Sequence, residues 1–352
     1  MIFQVTLFVL SAVVGWFFNL AGMPIPWLLG GLAVALVAKT QFAEKASWPR
    51  AYRSVGLVVI GYSIGRYLTV PALREVPGQL AGMVGATVSA VLVALAIAWW
   101  TAKKENLDLQ SCVMGIMPGG FTQMAIMCDE DDRADKNIVI LMQSLRLMSV
   151  IVAVPFLVMH FLDAKIVGTT ASLAVNDGLS YWYILPAAAV GGIIADKLKI
   201  STPYLMAPII IAMAASLQLG TLNTIDPVLM MAAQISIGLN MGMGLDPKEL
   251  CELKRILPYT FAGIIVMLMV SIGVALILSA HYGYSLVTAF LAMAPGGLGE
   301  MCLVGLSLNE SVSVILIYQL SRFLFLNIAV PLGLNLYFGK KPWNGRNTWH
   351  KQ

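Results

Sequence analysis

The chain has 352 residues, 59% of them hydrophobic and 11% charged, with a mean hydropathy of +0.83 and a formal net charge of +4 at pH 7. That polar fraction is too small to coat a soluble globule, so composition places the chain in lipid. Lys and Arg fall in short clusters between apolar runs, where they report topology and not nucleic-acid binding.

Hydrocarbon offers the backbone no hydrogen-bond partner, so spanning elements are helices or a closed barrel, and apolar runs of 16 to 25 residues fit helices. The alternating pattern of a barrel strand is absent. In chain order the first half carries apolar elements near 2 to 20, 25 to 40, 54 to 70, 77 to 101, 109 to 127 and 137 to 161. The first run lacks a basic leader and continues into Pro24 and Pro26, so it reads as structure and not as a signal peptide. Residues 162 to 180 are a polar linker too mixed to span. Six further elements follow near 181 to 195, 202 to 217, 229 to 245, 257 to 280, 286 to 304 and 311 to 337.

The second series repeats the first. Adding 177 to a residue number pairs Gly15 with Gly192, Pro26 with Pro203, Leu28 with Leu205, Gly61 with Gly238 and Gly65 with Gly242. The register continues through Leu68 and Leu245, Pro118-Gly119-Gly120 and Pro295-Gly296-Gly297, and Met124 and Met301. After a one-residue deletion, an offset of 176 pairs Gln143 with Gln319, Arg146 with Arg322 and Pro155 with Pro331. One register kept across so many elements indicates a duplication. The expected organisation is a first membrane repeat at 1–161, an extracytoplasmic linker at 162–180, a second repeat at 181–339 and a cytoplasmic tail at 340–352.

The fifth element of each half is broken by Pro-Gly-Gly into two pieces of about nine residues, each about 14 Å long and half the hydrocarbon thickness. It is either a broken crossing helix or a hairpin that enters and leaves on one face. As a hairpin it leaves ten crossings and inverts the second half relative to the first. One side then collects Lys39, Lys45, Arg50, Arg53, Lys103, Lys104, Arg133, Lys136, Lys197, Lys199, Lys248, Lys254, Arg255, Lys340, Lys341, Arg346 and Lys351, which is 17 residues. The other side has 3: Arg66, Arg74 and Lys165. A crossing element makes the split 11 against 9. The positive-inside rule therefore favours two hairpins, with both termini in the cytoplasm. The expected fold is all-α and polytopic, with about ten transmembrane helices in two inverted repeats.

The segment Gly22-Met23-Pro24-Ile25-Pro26-Trp27-Leu28-Leu29-Gly30-Gly31, the run from Ile237 to Leu245 and the paired Pro-Gly-Gly segments together resemble the AbrB-type duplicated membrane protein family of bacteria. The similarity covers nearly the whole chain. That family shares its name with a small soluble transcription regulator and has been labelled an ammonia monooxygenase; neither label follows from these residues. The arrangement is also distantly similar to the cation:proton antiporter and anion transporter superfamily, including bile-acid and glutamate sodium symporters. The resemblance implies a bacterial inner-membrane secondary transporter whose repeats meet around discontinuous helices at the midplane.

The break costs helix stability, since Pro removes a donor and Gly loses backbone entropy. In an inverted-repeat transporter the cost is offset by function, because a half-helix N-terminus attracts an anion and freed carbonyls take a cation. Close helix packing or a plain kink is the other reading. Candidate substrate-binding residues are Gly119, Gly120, Thr122 and Gln123 at the first break, Gly296 and Gly297 at the second, and the repeated Arg146 and Arg322. Gln143 and Arg146 share one helix face, as do Gln319 and Arg322. An arginine at mid-membrane costs at least about 2.5 kcal/mol, so it must face protein or water. The two arginines either help to form an anion site or cap the carbonyls of a broken helix.

Glu300 is the one carboxylate deep in an apolar element, and its repeat mate is the neutral Gln123. It is a candidate proton or sodium coupling residue, with an ion pair to Arg146 or Arg322 as the alternative. Asn240 is a second coupling-ion candidate. With its repeat mate Ser63 it either lines the same cavity or makes interhelical hydrogen bonds. The acidic run Asp129 to Asp132 reads as a solvated cytoplasmic loop.

His160, His281 and His350 are scattered, so neither a His-based metal centre nor Ser-His-Asp catalysis is expected, and no cofactor is implied. Cys112, Cys128, Cys251 and Cys302 form no CxxC pair. The expected function is secondary transport of a small organic anion, a carboxylate among the candidates, driven by a proton or sodium gradient. The alternative is a membrane-embedded sensor that influences gene expression. Expected partners are the anion, the coupling ion and membrane lipid, with no nucleic acid; a homodimer is compatible with the sequence.

Overall fold

The computed structural model describes residues 2–42, 47–119, 124, 128, 134–162, 180–220, 222–245 and 254–338. Among these residues the chain forms thirteen α-helices and no β-strand. The first half contributes α1 (Ile2–Leu20), α2 (Pro26–Gln41), α3 (Arg50–Gly65), α4 (Val70–Glu105), α5 (Leu109–Ile116) and α6 (Lys136–Phe161). The second contributes α7 (Tyr181–Lys197), α8 (Pro203–Leu219), α9 (Pro227–Met243), α10 (Leu257–Tyr282), α11 (Leu286–Met293), α12 (Leu298–Ser307) and α13 (Val312–Phe338). By length and composition α1, α4, α6, α10 and the Val312–Ala329 part of α13 are long and apolar enough to cross a membrane. The shorter α2, α3, α7, α8 and α9 reach about 24–26 Å at 1.5 Å per residue.

Local chemistry sets the helix ends. Pro26, Pro203 and Pro227 stand in the first turns of α2, α8 and α9, where a missing N–H costs nothing. Asp108, Asp135, Asp226 and Ser285 accept backbone N–H bonds at the starts of α5, α6, α9 and α11. Asn106 and Gly283, both left-handed, end α4 and α10. The hydropathy reading placed the third element at 54 to 70, whereas α3 begins four residues earlier. Hydropathy discounts Arg50, Tyr52 and Arg53, yet they form the first turn after Pro49.

The helix bounds recur at the sequence offset. Adding 177 maps α3 onto 227–242, α5 onto 286–293 and the end of α4 onto 282, against the observed α9, α11 and α10. Positive-φ positions recur as well: Gly22 with Lys199, Ile25 with Thr202, and Asn106 with Gly283.

Packing between the halves is reciprocal. A Cβ on Gly61 in α3 would lie 2.8 Å from the Leu205 carbonyl in α8, and one on Gly238 in α9 would press on the Leu28 carbonyl in α2. Gly65 meets the Ile209 carbonyl at 2.5 Å and Gly242 the Leu32 carbonyl at 2.8 Å. In each case both partners differ by 177, so the third helix of each half lies on the second helix of the other. Gly56 closes on the carbonyl of Ala233, its own repeat mate, where α3 crosses α9. Small residues that let backbones touch are the usual solution for helices in lipid. Around this centre α1, α4, α7 and α10 turn Trp16, Phe17, Leu80, Val84, Ile193, Ile265 and Ile277 outward, as expected of an apolar surface that meets a membrane.

Candidate functional site

The second break is fully described. α11 runs eight residues and ends at Met293, Ala294 takes a β-like conformation, and after Pro295-Gly296-Gly297 the chain starts α12. The two short helices lie side by side. Ser285 and Thr288 at the start of α11 both donate hydroxyl bonds to Glu310, just beyond α12, the second at 2.6 Å. A Cβ on Gly305 late in α12 would sit 3.7 Å from Leu291. In the first half Ser111 near the start of α5 accepts from the Asp135 N–H at 2.8 Å, so α5 begins where α6 begins.

Each break is braced by its Gln-Arg pair. Gln319 donates through Nε2 to the carbonyls of Leu291 at 2.8 Å and Ala294 at 3.2 Å. Arg322 donates to the carbonyls of Met293 at 2.8 Å and Ala294 at 2.9 Å, and to Gln319 Oε1. In the first half Gln143 donates to Met114 at 2.6 Å and Met117 at 3.1 Å, and Arg146 to Ile116 at 3.0 Å, Met117 at 2.5 Å and Gln143 Oε1 at 2.8 Å. The backbone acceptors again differ by 177. All four side chains are buried, and they satisfy the last carbonyls of α5 and α11, which a broken helix leaves without partners. Arg146 Nε has no protein partner, and the residue lines a void of about 10 Å³, the size of one water, together with Gly115, Thr260 and Met267.

Glu300 lies in the first turn of α12 and folds back over Gly297, where its Oε2 occupies the space that a Cβ would need. Its carboxylate therefore fills the positive end of this half-helix. No ion pair joins it to Arg146 or Arg322. Arg53 of α3 forms no ion pair with it either, and its charge acts on the carboxylate only at longer range. The tip docks on the central crossing, with a Cβ on Gly299 3.7 Å from both Ile60 and Leu205. Gly296 packs under Met301, as Gly119 packs under Met124.

The structure therefore brings Gly296, Gly297 and Glu300 together beside the Arg322 brace. Arg146 and Gly119 belong to the equivalent brace of the first half. Gly120, Thr122 and Gln123 lie outside the described residues. Asn240 is half-buried in α9 and makes no hydrogen bond to Glu300. Arg53 escaped the sequence reading as a loop charge. The repeat carried the missing signal, because Asp226-Pro227, which starts α9, falls at Pro49-Arg50 in the first half. Among the described residues no cluster of three or more His, Cys, Asp or Glu side chains could hold a metal ion.

A family model described as "Transition state regulatory protein AbrB" matches residues 27–337. The chain is 24% identical over 345 residues to the Bacillus subtilis (strain 168) protein named "Uncharacterized protein YhjN", with 92% of this chain and 90% of that one covered. It is 24% identical over 327 residues to the Escherichia coli (strain K12) protein named "Putative regulator AbrB", with 92% and 93% covered.

Proposed function

The chain belongs to the AbrB family, and from that membership together with the geometry of its broken elements we propose that it is a secondary transporter of a small organic anion such as a carboxylate, coupled to a proton or sodium gradient. It works in a bacterial inner membrane with both termini in the cytoplasm. Its halves are inverted repeats, and their hairpins enter from opposite faces, the first from the cytoplasm and the second from outside. The observation that carries the reading is the carboxylate of Glu300 at the tip of an interrupted apolar element, beside carbonyls held by a buried arginine. Soluble-style scaffolding does not need a charge there, whereas a midplane anion and coupling site does. The Gln-Arg braces keep both breaks open and leave positive potential at the tips.

A second reading, a membrane sensor that influences gene expression, is favoured by the family description and by the Escherichia coli relative's name. Proteoliposomes separate the two. Acetate, pyruvate and succinate are offered under imposed proton and sodium gradients, and gradient-driven accumulation of at least one of them is expected. Saturable binding with no flux under either gradient would replace the transporter with the sensor.

A further inference from the structure

Arg146 and Arg322 spend both of their Nη nitrogens on helix-end carbonyls and on the Gln143 and Gln319 amide oxygens, which leaves Arg146 Nε as a lone donor, so neither presents a free fork to a substrate. The cation placed to do so is Arg53. It stands in the first turn of α3, where a positive charge opposes the helix dipole and where Arg50 repels it. Such a residue needs an anion in reach. Arg53 is seven residues from Ile60, two turns along the same face, and Ile60 touches the tip of α12 at Gly299. Gly56 between them lies against α9, so this face of α3 points into the central crossing. The carboxylate carried by that tip is Glu300, folded back over Gly297; it makes no ion pair with Arg53, whose charge reaches it across a longer gap. The other ionisable group acting in that locality is the Cys302 thiol on α12 itself, while α8 meets the tip with the apolar Leu205.

We propose that Glu300 is a tethered competitor of the transported anion: its carboxylate occupies the α12 N-terminus opposite Arg53, and protonation releases that place to a substrate carboxylate. This rests on the anion-transport reading and specifies its coupling. The same two attractions, the half-helix dipole and Arg53, serve either the internal carboxylate or the external one, never both. One proton is therefore taken up for each anion bound. Arg53 is a substrate-binding residue in this scheme, and Glu300 is the proton carrier. The repeat mates are Met230 and Gln123, so only one hairpin carries the exchange.

The test uses full-length protein in nanodiscs, titrated with acetate, pyruvate and succinate from acid to alkaline pH. For whichever anion binds, wild-type affinity falls about tenfold per pH unit once Glu300 is ionised, the slope of one linked proton. Glu300→Gln binds with the acid-limit affinity at every pH. Arg53→Gln weakens binding at every pH, and Arg53→Lys restores it, which separates lost charge from lost folding. A second readout needs no substrate: carbodiimide modification of Glu300, which requires the protonated acid, rises in Arg53→Gln at neutral pH. A pH slope that survives in Glu300→Gln, or unchanged affinity in Arg53→Gln, overturns the proposal. So does carbodiimide labelling that ignores Arg53, whatever the anions do. If labelling follows Arg53 but no anion binds wild type or Glu300→Gln, it is the anion-transport reading that falls, and the competition falls with it.

Discussion

Replacing Gln319 with Leu tests the brace directly, because Leu keeps the volume and removes every hydrogen bond. The side chain gives up two bonds to the carbonyls of Leu291 and Ala294 and the acceptor that Arg322 Nη2 uses. Neutral buried bonds contribute about 1 kcal/mol each and a bond to a charged group about 1.5–3 kcal/mol, so the expected loss is about 3–5 kcal/mol. Gln143→Leu strips the equivalent bonds from the first half and should cost about the same. Gln79 is the control: it is also buried, but its Oε1 has no partner and its Nε2 makes one long bond of 3.3 Å to Glu75. Gln79→Leu removes an unsatisfied oxygen and should be neutral or stabilising. Equilibrium unfolding in mixed detergent micelles reads all three. Reaction of buried Cys112, Cys128 and Cys302 with a maleimide dye, in a Cys251→Ser background, gives an independent unfolding signal. A loss below about 1 kcal/mol in both Gln→Leu variants of the braces would show that those carbonyls find other partners and that the account of the breaks is wrong.

Gly238→Ala and Gly61→Ala push a methyl into the carbonyls of Leu28 and Leu205 and should each destabilise by about 1–3 kcal/mol in the same unfolding assay, Gly238→Ala the more. Gly273→Ala in α10 meets nothing within 4 Å and should be neutral or slightly stabilising; a penalty equal to that of Gly238→Ala would refute the close-packing account. For topology, a cysteine at Asp131 should react only from the cytoplasm and one at Asn309, next to Glu310, only from outside. The same side for both would overturn the opposed hairpins. Gly297→Ala places a methyl where Glu300 Oε2 lies, so it should raise carbodiimide labelling of Glu300. Unchanged labelling would mean that the carboxylate does not rest there.

Much of the fold was legible in the sequence, because helix ends and the 177-residue offset are local features: Pro26, Asp108, Ser285 and Gly283 mark their helices without help from the rest of the chain. The Gln-Arg spacing was legible as a motif. Its job was not, because the acceptors are backbone carbonyls some thirty residues away, and any sequence offers carbonyls everywhere. Arg53 stayed hidden because a hydropathy average discards a charged first turn, and only folding brings it near Glu300. The first Pro-Gly-Gly break, with Thr122 and Gln123, was legible only as a sequence motif.

The two crossings of second and third helices are built from equivalent residues yet are not identical. Gly238 is pressed harder on Leu28 than Gly61 is on Leu205, and Pro208 stands in one where Gly31 stands in the other. Both joints are nevertheless closed by backbone lying against backbone, so any side chain larger than hydrogen at Gly31, Gly61, Gly65, Gly238 or Gly242 would wedge the two halves apart.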